Sequence, residues 1–269
     1  MSLVTIDHAL CSRDGLCGTV CPMGLFEVDA EGLGFPVFRK GAAESCIGCG
    51  HCVAVCPKDA LRHEKLPLAD APLVDFGLTP SAAATAQLLK SRRSVREFRG
   101  EPVAETLVRE ALDAARWAPS AVNRQPVHWL VIRDAAEVRR LAGLAADFLR
   151  GAKGLGARYS TILERWDRGE DPILRGAPHL VVVHARDDWP WSTVDCTIAL
   201  AQFEMAVVAG GIGTCWAGFL MRAVREHPPL REALGIPHGN GVYGALMMGQ
   251  PRYRYRRSPP REAARVEWR

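Results

Sequence analysis

The chain has 269 residues, of which 48% are hydrophobic and 24% charged, an ordinary composition for a globular protein. Its formal net charge of +4 at pH 7 is too small to indicate nucleic-acid binding, although it suits an acidic electron carrier as a partner. There is no run of about 18 consecutive apolar residues, which argues against a membrane span. Residues 1–10 lack the pattern of a signal peptide, so we expect a cytoplasmic protein with no membrane partner.

Four of the nine cysteines follow the spacing C-x2-C-x2-C-x3-C-P, namely Cys46, Cys49, Cys52 and Cys56. This is the bacterial spacing for [4Fe–4S] clusters, in which the fourth thiolate ligates the other cluster of a two-cluster protein. Gly48 and Gly50 permit the unusual backbone torsions that such a loop needs. The alternative is a structural zinc site, but those sites usually contain two separated CxxC pairs. The spacing therefore favours electron transfer in a reducing compartment.

An imperfect copy of this motif lies upstream. Its first, third and fourth ligand positions are Cys11, Cys17 and Cys21, with Pro22 following, and Asp14 stands at the second position. Residues 1–65 thus resemble a two-cluster bacterial ferredoxin. The resemblance implies that one [4Fe–4S] cluster is bound by Cys21, Cys46, Cys49 and Cys52. A second cluster, [4Fe–4S] or [3Fe–4S], would be held by Cys11, Cys17 and Cys56. Asp14 is either its remaining ligand or only a turn residue beside Gly15.

After this domain, residues 66–78 contain proline and glycine without periodicity and are predicted to form a linker. Thr79-Pro80 predicts a helix start, with the helix running to about Lys90, and a second helix is expected between Pro102 and Pro119. Short apolar segments predict strands over 127–133, 179–185 and 242–248. Ser192 or Thr193 should cap a long apolar helix over Val194–Ala209. Because helices and strands alternate without a regular βαβ rhythm, we predict an α+β domain over 79–269.

Two segments of this domain carry polar side chains suited to a cofactor. The segment 92–98 supplies three arginines and a serine, which suit a phosphate and a polarised carbonyl, although a charge run is usually a solvated face. The segment 118–126 is a loop held by Pro119 and Pro126. It presents Asn123 and Gln125, whose amides can both donate and accept hydrogen bonds at the edge of a heterocycle.

Together with the segments 211–219 and 249–251 and a basic tail, these stretches resemble the nitroreductase family of FMN enzymes over about residues 85–260. The resemblance implies an α+β homodimer with FMN at the dimer interface. It also implies that FMN is contacted by Arg92, Arg93, Ser94, Arg96, Pro119, Ser120, Asn123, Gln125, Trp216, Ala217, Gly218, Arg254 and Arg257.

Individual roles follow from the same resemblance. Arg92, Arg93 and Ser94 would hold the phosphate and ribityl end of FMN, and Arg96 would face the pyrimidine edge. Asn123 would contact the ring edge with Gln125 beside it, and the Ala217 N–H would donate to flavin N5. Arg257, in an Arg-x-Pro run, would bind phosphate, with Arg254 or Arg256 replacing a basic residue that the family often has where this chain has Tyr255. No side chain is assigned a catalytic role, because the flavin itself carries the chemistry.

The sequence thus predicts a ferredoxin–nitroreductase fusion that reduces a small electrophile, such as a nitroaromatic or quinone-like compound. Electrons would come from reduced ferredoxin or flavodoxin, or from NAD(P)H, and pass through the clusters to FMN. Residues 140–176, with Gly151, Gly154 and Gly156, would cover the flavin and set substrate choice. The alternatives are other reductive flavin chemistry, such as dehalogenation, and a non-catalytic electron-transfer or redox-sensing module.

Overall fold

The computed structural model describes residues 2–28, 34–151 and 159–269. The chain divides into two compact units. The first unit runs to Thr79 and also includes Val122–Arg124, and the second comprises Pro80–Ala121 and Gln125–Arg269. Gly154 and Gly156, which were expected to cover a flavin, lie outside the described residues.

The first unit is built from short elements around a small core. Strand β1 (Val4–Ile6) pairs antiparallel with β4 (Leu61–His63), and β2 (Phe26–Glu27) pairs with β3 (Val37–Phe38). Helices α1 (Leu16–Thr19) and α2 (His51–Ala54) have one turn each, and 3₁₀ turns occur at Ala42–Ser45, Leu68–Asp70 and Phe76–Leu78. The core residues are mostly aliphatic, and predicted ligand cysteines pack against them. Such a small core fits a domain that depends on bound metal for stability.

The second unit contains a four-stranded antiparallel sheet with the order β5-β6-β8-β7. Its strands are β5 (His128–Ile132), β6 (His179–Arg186), β7 (Gly213–Trp216) and β8 (Asn240–Gly249). Strand β6 is buried along nearly its whole length because both faces of the sheet are covered. Leu180 and Val182 contribute to one core, whereas Val181 and Val183 contribute to the other, as the alternation of side chains along a strand requires.

Helices cover both faces of this sheet. One core includes residues of α5 (Ala135–Gly151), α6 (Ser160–Asp167), α8 (Gly218–Glu226) and α9 (Pro228–Ala233). The other includes residues of α4 (Glu105–Ala115) and α7 (Ser192–Ala209), and α3 (Ala82–Ser91) precedes both. The predicted α+β class is confirmed. Of residues 140–176, which were expected to cover a flavin, Leu141, Ala142 and Ala145 on α5 are fully buried in the core, and the covering itself stays a prediction.

Two helix starts differ from the prediction. Helix α3 begins at Ala82, because the Ser81 hydroxyl accepts a hydrogen bond from the Ala84 N–H at 3.2 Å and so caps the first turn. Ser192 does not cap α7, since its hydroxyl donates to the Arg186 carbonyl at 2.6 Å. By length and composition α7 is apolar enough to cross a membrane, a test that core helices also pass. Asp195 and Glu204 are buried in it, which fits a core helix.

Candidate functional site

The first unit contains two cavities lined by the cysteines of the sequence motifs. Cys21, Cys46, Cys49 and Cys52 line the first cavity. Cys11, Cys17, Cys56 and Asp14 line the second. Each cavity thus combines three residues of one motif with a single cysteine of the other, which is the crossed arrangement that the spacing predicts. Cluster ligation itself remains a prediction.

Two one-turn helices produce this crossing. Cys17 lies on α1 beside the second cavity, and Cys21 lies four residues later beside the first. Cys52 on α2 lies beside the first cavity, and Cys56, four residues later, lies beside the second. Gly15 and Gly50 precede the helices with φ of 68° and 75°, a backbone conformation that glycine adopts without strain. One helical turn advances the chain by about 5.4 Å, which carries it from one cavity to the next.

The sulfur atoms of the two cavities differ in burial and in their main-chain hydrogen bonds. Burial raises the pKa of the Cys52 thiol to about 11 and also raises that of Cys17. Both thiols would therefore stay protonated near neutral pH unless metal replaced the proton. Main-chain N–H groups donate to the sulfurs of Cys11, Cys21 and Cys56 at 3.2–3.4 Å. Within residues 2–28, 34–151 and 159–269, no three potential ligands lie close enough to hold a single metal ion.

Asp14 lines the second cavity, and its carboxylate also has local partners. One oxygen accepts from the Leu16 N–H at 3.0 Å, and the other accepts from the Ser12 hydroxyl at 2.8 Å. These bonds are those of a turn residue. A carboxylate oxygen retains a further lone pair after accepting one hydrogen bond, so they leave room for iron ligation. Both interpretations of Asp14 therefore stay open.

In the second unit, the arginine segment 92–98 is held between two strands. Its Val95 N–H donates to the Thr214 carbonyl of β7 at 2.8 Å. Its Phe98 forms a bridge with Pro251, just after β8. The Arg93 Nε is buried and has no hydrogen-bond partner in the described part of the chain. A buried guanidinium nitrogen without a partner is costly, so this atom fits an anionic ligand such as a phosphate.

Glu204 on α7 connects three parts of this region. The side chain of Glu204 is 7% exposed. Its Oε1 accepts from the Thr214 hydroxyl at 2.7 Å and lies 3.4 Å from Arg92 Nη1, and its Oε2 accepts from Trp216 Nε1 at 3.4 Å. Glu204 therefore orients Arg92 and the residues before α8. The sequence analysis missed it, although a carboxylate in an apolar helix was a visible signal.

A cavity in the second unit is lined by residues from both ends of the loop 118–126. Its lining includes Pro119, Ser120 and Gln125 of the predicted site, together with Trp129 and Asp195. The Ser120 hydroxyl accepts from the Gln125 N–H at 2.8 Å and closes the loop. Asp195, which is 2% exposed, fixes the loop from below by accepting from the Ala121 N–H at 3.0 Å and from Trp189 Nε1 at 2.8 Å. It is the second residue that the sequence analysis missed.

Two residues that were predicted to contact FMN donate hydrogen bonds to main-chain carbonyls of the protein. Asn123 belongs to the first unit, where its Nδ2 donates to the Gly48 carbonyl at 2.8 Å. The Ala217 N–H, expected to donate to flavin N5, donates instead to the Ala245 carbonyl at 2.9 Å, and Ala217 is fully buried. The assignment of Ala217 as donor is therefore corrected: its hydrogen belongs to the sheet. The next residue, the exposed Gly218, is the first residue of α8. Its N–H therefore has no carbonyl within the helix to accept it.

The basic tail, residues 252–258, contacts the end of α3, just before the arginine segment. The Ser258 hydroxyl donates to the Lys90 carbonyl at 3.0 Å, and the Arg93 guanidinium donates to the same carbonyl. Arg257, the neighbour of Ser258 in sequence, is therefore brought to the end of α3. Arg254 is exposed, as are Arg256 and Arg96, whose Nη1 donates to the Ser94 carbonyl at 3.4 Å.

Comparisons with known proteins identify both parts of the chain. Residues 89–250 match the nitroreductase family, and residues 9–61 match the 4Fe–4S dicluster domain. A candidate NADH dehydrogenase/NAD(P)H nitroreductase of Archaeoglobus fulgidus is 29% identical over 166 residues, covering 62% of this chain and 84% of the relative. An iodotyrosine deiodinase of Thermotoga neapolitana is 28% identical over 132 residues, covering 47% and 69%. A solved nitroreductase with bound FMN from Desulfitobacterium hafniense superposes with a TM-score of 0.58 at 23% identity, covering 68% and 98%.

Proposed function

Because the chain belongs to the nitroreductase family and carries a 4Fe–4S dicluster domain ahead of it, we propose that it reduces a small electrophile at a bound FMN, with electrons delivered through two iron–sulfur clusters. It is an oxidoreductase of the nitroreductase type. The observation that carries the proposal is the division of eight side chains between two cavities, four to each, in a chain with this second domain.

The second unit offers a phosphate site for FMN. The Arg93 guanidinium supplies a positive charge whose buried Nε has no hydrogen-bond partner in the described residues, and the Ser258 bond to the Lys90 carbonyl draws Arg257 toward the same end of α3. Arg92, held by Glu204, and Ser94 add donors to the same end of the site. A phosphate accepts from several guanidinium N–H groups at once, so the arginines of this segment suit it.

Other residues would hold the isoalloxazine ring. Bound FMN supplies a ring that accepts and donates hydride or single electrons at N5. We assign the hydrogen bond to N5 to the Gly218 N–H, since the N–H of Ala217 is used by the sheet. The loop with Pro119, Ser120 and Gln125 would contact the ring from the cavity side, and the Trp216 indole would lie at its edge. Arg96 would put a fixed positive charge beside the pyrimidine oxygens and stabilise negative charge there.

The first unit would bind the clusters. One [4Fe–4S] cluster would be held by the four thiols of the first cavity, and a [4Fe–4S] or [3Fe–4S] cluster by the residues of the second, depending on Asp14. The physiological donor would be reduced ferredoxin or flavodoxin, whose single electrons suit such clusters. NAD(P)H is the alternative donor, supported by the name of the Archaeoglobus relative.

A nitroaromatic or quinone-like compound is the proposed substrate. The iodotyrosine deiodinase relative supports a second candidate, the reductive removal of halide from an aromatic ring. The two candidates place the same cofactor in the same site and differ only in the bond that is broken. They are therefore separated by the product and not by the cofactor content.

Anaerobic turnover tests the proposal. Reconstituted protein is supplied with reduced ferredoxin or with NAD(P)H, and nitroarenes, quinones and iodophenols are offered in turn, with product analysis. We expect reduction of a nitroarene or quinone with ferredoxin. Loss of this activity in Cys49→Ala, with retained activity in the control Cys196→Ala, would place the clusters on the route. Full ferredoxin-driven activity in Cys49→Ala would contradict it.

A further inference from the structure

The ring of His63 lies against a predicted cluster ligand. Its Nε2 is 3.6 Å from the Cys46 sulfur, a hydrogen-bond distance for an acceptor as large as sulfur. His63 is 5% exposed and lines the first cavity. The main chain at this point is fixed, because His63 pairs with Val4 in the β1–β4 ladder and its carbonyl accepts from the Leu66 N–H at 3.1 Å.

The other ring nitrogen decides the direction of this bond. The Lys65 N–H donates to His63 Nδ1 at 3.1 Å, so Nδ1 is an acceptor and carries no hydrogen. The hydrogen of the neutral imidazole is therefore on Nε2, which points at the sulfur. Nε2 can only donate in this tautomer. A main-chain bond thus sets the His63 ring as an N–H donor to Cys46.

We propose that His63 donates an N–H···S hydrogen bond to the Cys46 thiolate and raises the reduction potential of the cluster held in the first cavity. The donor dipole points its positive end at sulfur and stabilises the reduced cluster, which carries more negative charge, more than the oxidised one. The hydrogen bonds described for Cys11, Cys21 and Cys56 come from main-chain N–H groups. A side-chain donor would let one residue adjust the potential of one cluster.

The inference rests on cluster binding at the first cavity, which is part of the proposed function, and not on the substrate or the electron donor. It makes His63 a positioning and tuning residue, since it reaches the cluster only through a ligand. The second cavity serves as an internal reference, because His63 is absent from its lining.

Redox titration of the full chain, monitored by electron paramagnetic resonance, tests the proposal. His63→Phe keeps a flat ring without a donor, and His51→Gln is the matched control, since His51 is exposed beside Cys52 in sequence. We expect His63→Phe to shift the reduction equilibrium of the first cluster about tenfold toward the oxidised form, or about 59 mV for one electron. The second cluster and the His51→Gln protein should keep wild-type potentials. An unchanged first potential in His63→Phe overturns the proposal and leaves cluster binding intact.

A measurement on the wild-type ring covers the case in which His63→Phe loses its cluster. With ¹⁵N-labelled histidine, pulsed resonance of the reduced first cluster should show a nitrogen coupling that persists in His51→Gln. Its absence overturns the proposal. Iron and sulfide analysis separates failure of the His63 proposal from failure of the proposed function. Wild-type protein without a cluster in the first cavity would overturn both the His63 proposal and the cluster part of the proposed function.

Discussion

Glu204 is the residue on which the geometry of the arginine segment most depends. It is buried, and it accepts hydrogen bonds from Thr214 and Trp216 while pairing with Arg92. Glu204→Ala leaves these donors without an acceptor, so we expect a loss of about 2–3 kcal/mol in the free energy of unfolding of the second unit and weaker FMN binding. Urea unfolding followed by tryptophan fluorescence checks this, since all seven tryptophans lie beyond residue 79.

Glu105 offers the control for this substitution. It pairs with Arg109 and Arg133, but it is about half exposed. Surface ion pairs contribute less than about 1 kcal/mol, so Glu105→Ala should have a much smaller effect. Equal losses for the two variants would show that Glu204 has no special role.

Gly218 gives a sharper test of the flavin geometry. Gly218→Pro removes the N–H assigned to flavin N5, and proline is tolerated at the first position of a helix. A neutral hydrogen bond contributes about 0.5–1.5 kcal/mol, so FMN affinity should fall by up to about tenfold. Gly218→Ala keeps the N–H, and a β-carbon there meets no atom within 4 Å. Fluorescence titration with FMN should separate the two variants. Equal affinities would remove Gly218 as the donor.

These residues also show the limit of sequence reasoning. The grouping of the cysteines around two cavities was predictable because their spacing is local and the helical turn between Cys17 and Cys21 fixes the crossing. The Ala217 assignment failed because its N–H pairs with Ala245, in a strand far along the chain. No local sequence pattern predicts a hydrogen-bond partner so far along the chain. Asp195 and Glu204 were visible as carboxylates in an apolar helix, but their partners Ala121 and Arg92 are supplied by the tertiary fold.

At the level of secondary structure, strand β6 carries a built-in acid sensitivity. His179 at its start is 1% exposed, with Nε2 accepting from the Val103 N–H at 2.8 Å and Nδ1 3.1 Å from the Arg133 carbonyl. Burial lowers the pKa of His179 below its usual value. Above about pH 6.5 the ring is neutral in both folded and unfolded chains. Below that pH the unfolded chain binds a proton that the folded chain refuses, so stability falls as the pH falls.

The expected slope is up to about 1.4 kcal/mol per pH unit for this one group. Urea unfolding by tryptophan fluorescence between pH 7.5 and about 5.5 measures it. His179→Gln should flatten the profile, whereas the exposed His238→Gln should not. His184 in the same strand, whose pKa burial also lowers, would keep part of the slope. A His179→Gln profile as steep as wild type would contradict the argument.

Three strands of the sheet, β5, β6 and β8, were predicted within two residues, because they are apolar segments between turn residues, whereas β7 (Gly213–Trp216) was not predicted. The short strands of the first unit were not predicted, since two or three residues leave no periodicity to detect. Helix caps were the other error. Ser81, Thr79 and Ser192 are all plausible caps by residue type, and the choice depends on whether the hydroxyl finds a free N–H or, as in Ser192, a distant carbonyl.

At the level of the whole molecule, the cofactor content follows from combining both units. We expect one FMN and two clusters per chain, hence seven or eight iron atoms. Anaerobic iron, sulfide and flavin analysis checks this content. About four iron atoms would mean that the second cavity holds no cluster.

If Asp14 ligates iron, Asp14→Cys should lower the reduction potential of the cluster in the second cavity, because thiolate donates more charge than carboxylate. Identical spectra and potentials would leave Asp14 as a turn residue.

The outer face of α7 predicts how copies of the chain assemble. Val194 and Ile198 are 46% and 38% exposed, and the exposed Ala201 continues their stripe at helical spacing. An exposed apolar stripe on a helix whose other side packs in the core is typical of a subunit interface. Together with the resemblance to homodimers, this face leads us to expect a dimer through α7, with FMN bound at the interface.

Ile198→Asp tests the dimer, because a charge buried in an apolar interface without a partner is strongly unfavourable. We expect a shift from dimer to monomer in light scattering at a fixed protein concentration, with loss of FMN and retention of iron. Leu73→Asp is the control, since Leu73 is 93% exposed and lies in the predicted linker. A dimer that persists in Ile198→Asp with FMN bound would move the interface away from α7. Since the proposed cluster ligands all line cavities within a single chain, retention of iron in the monomer would separate a broken interface from a misfolded protein.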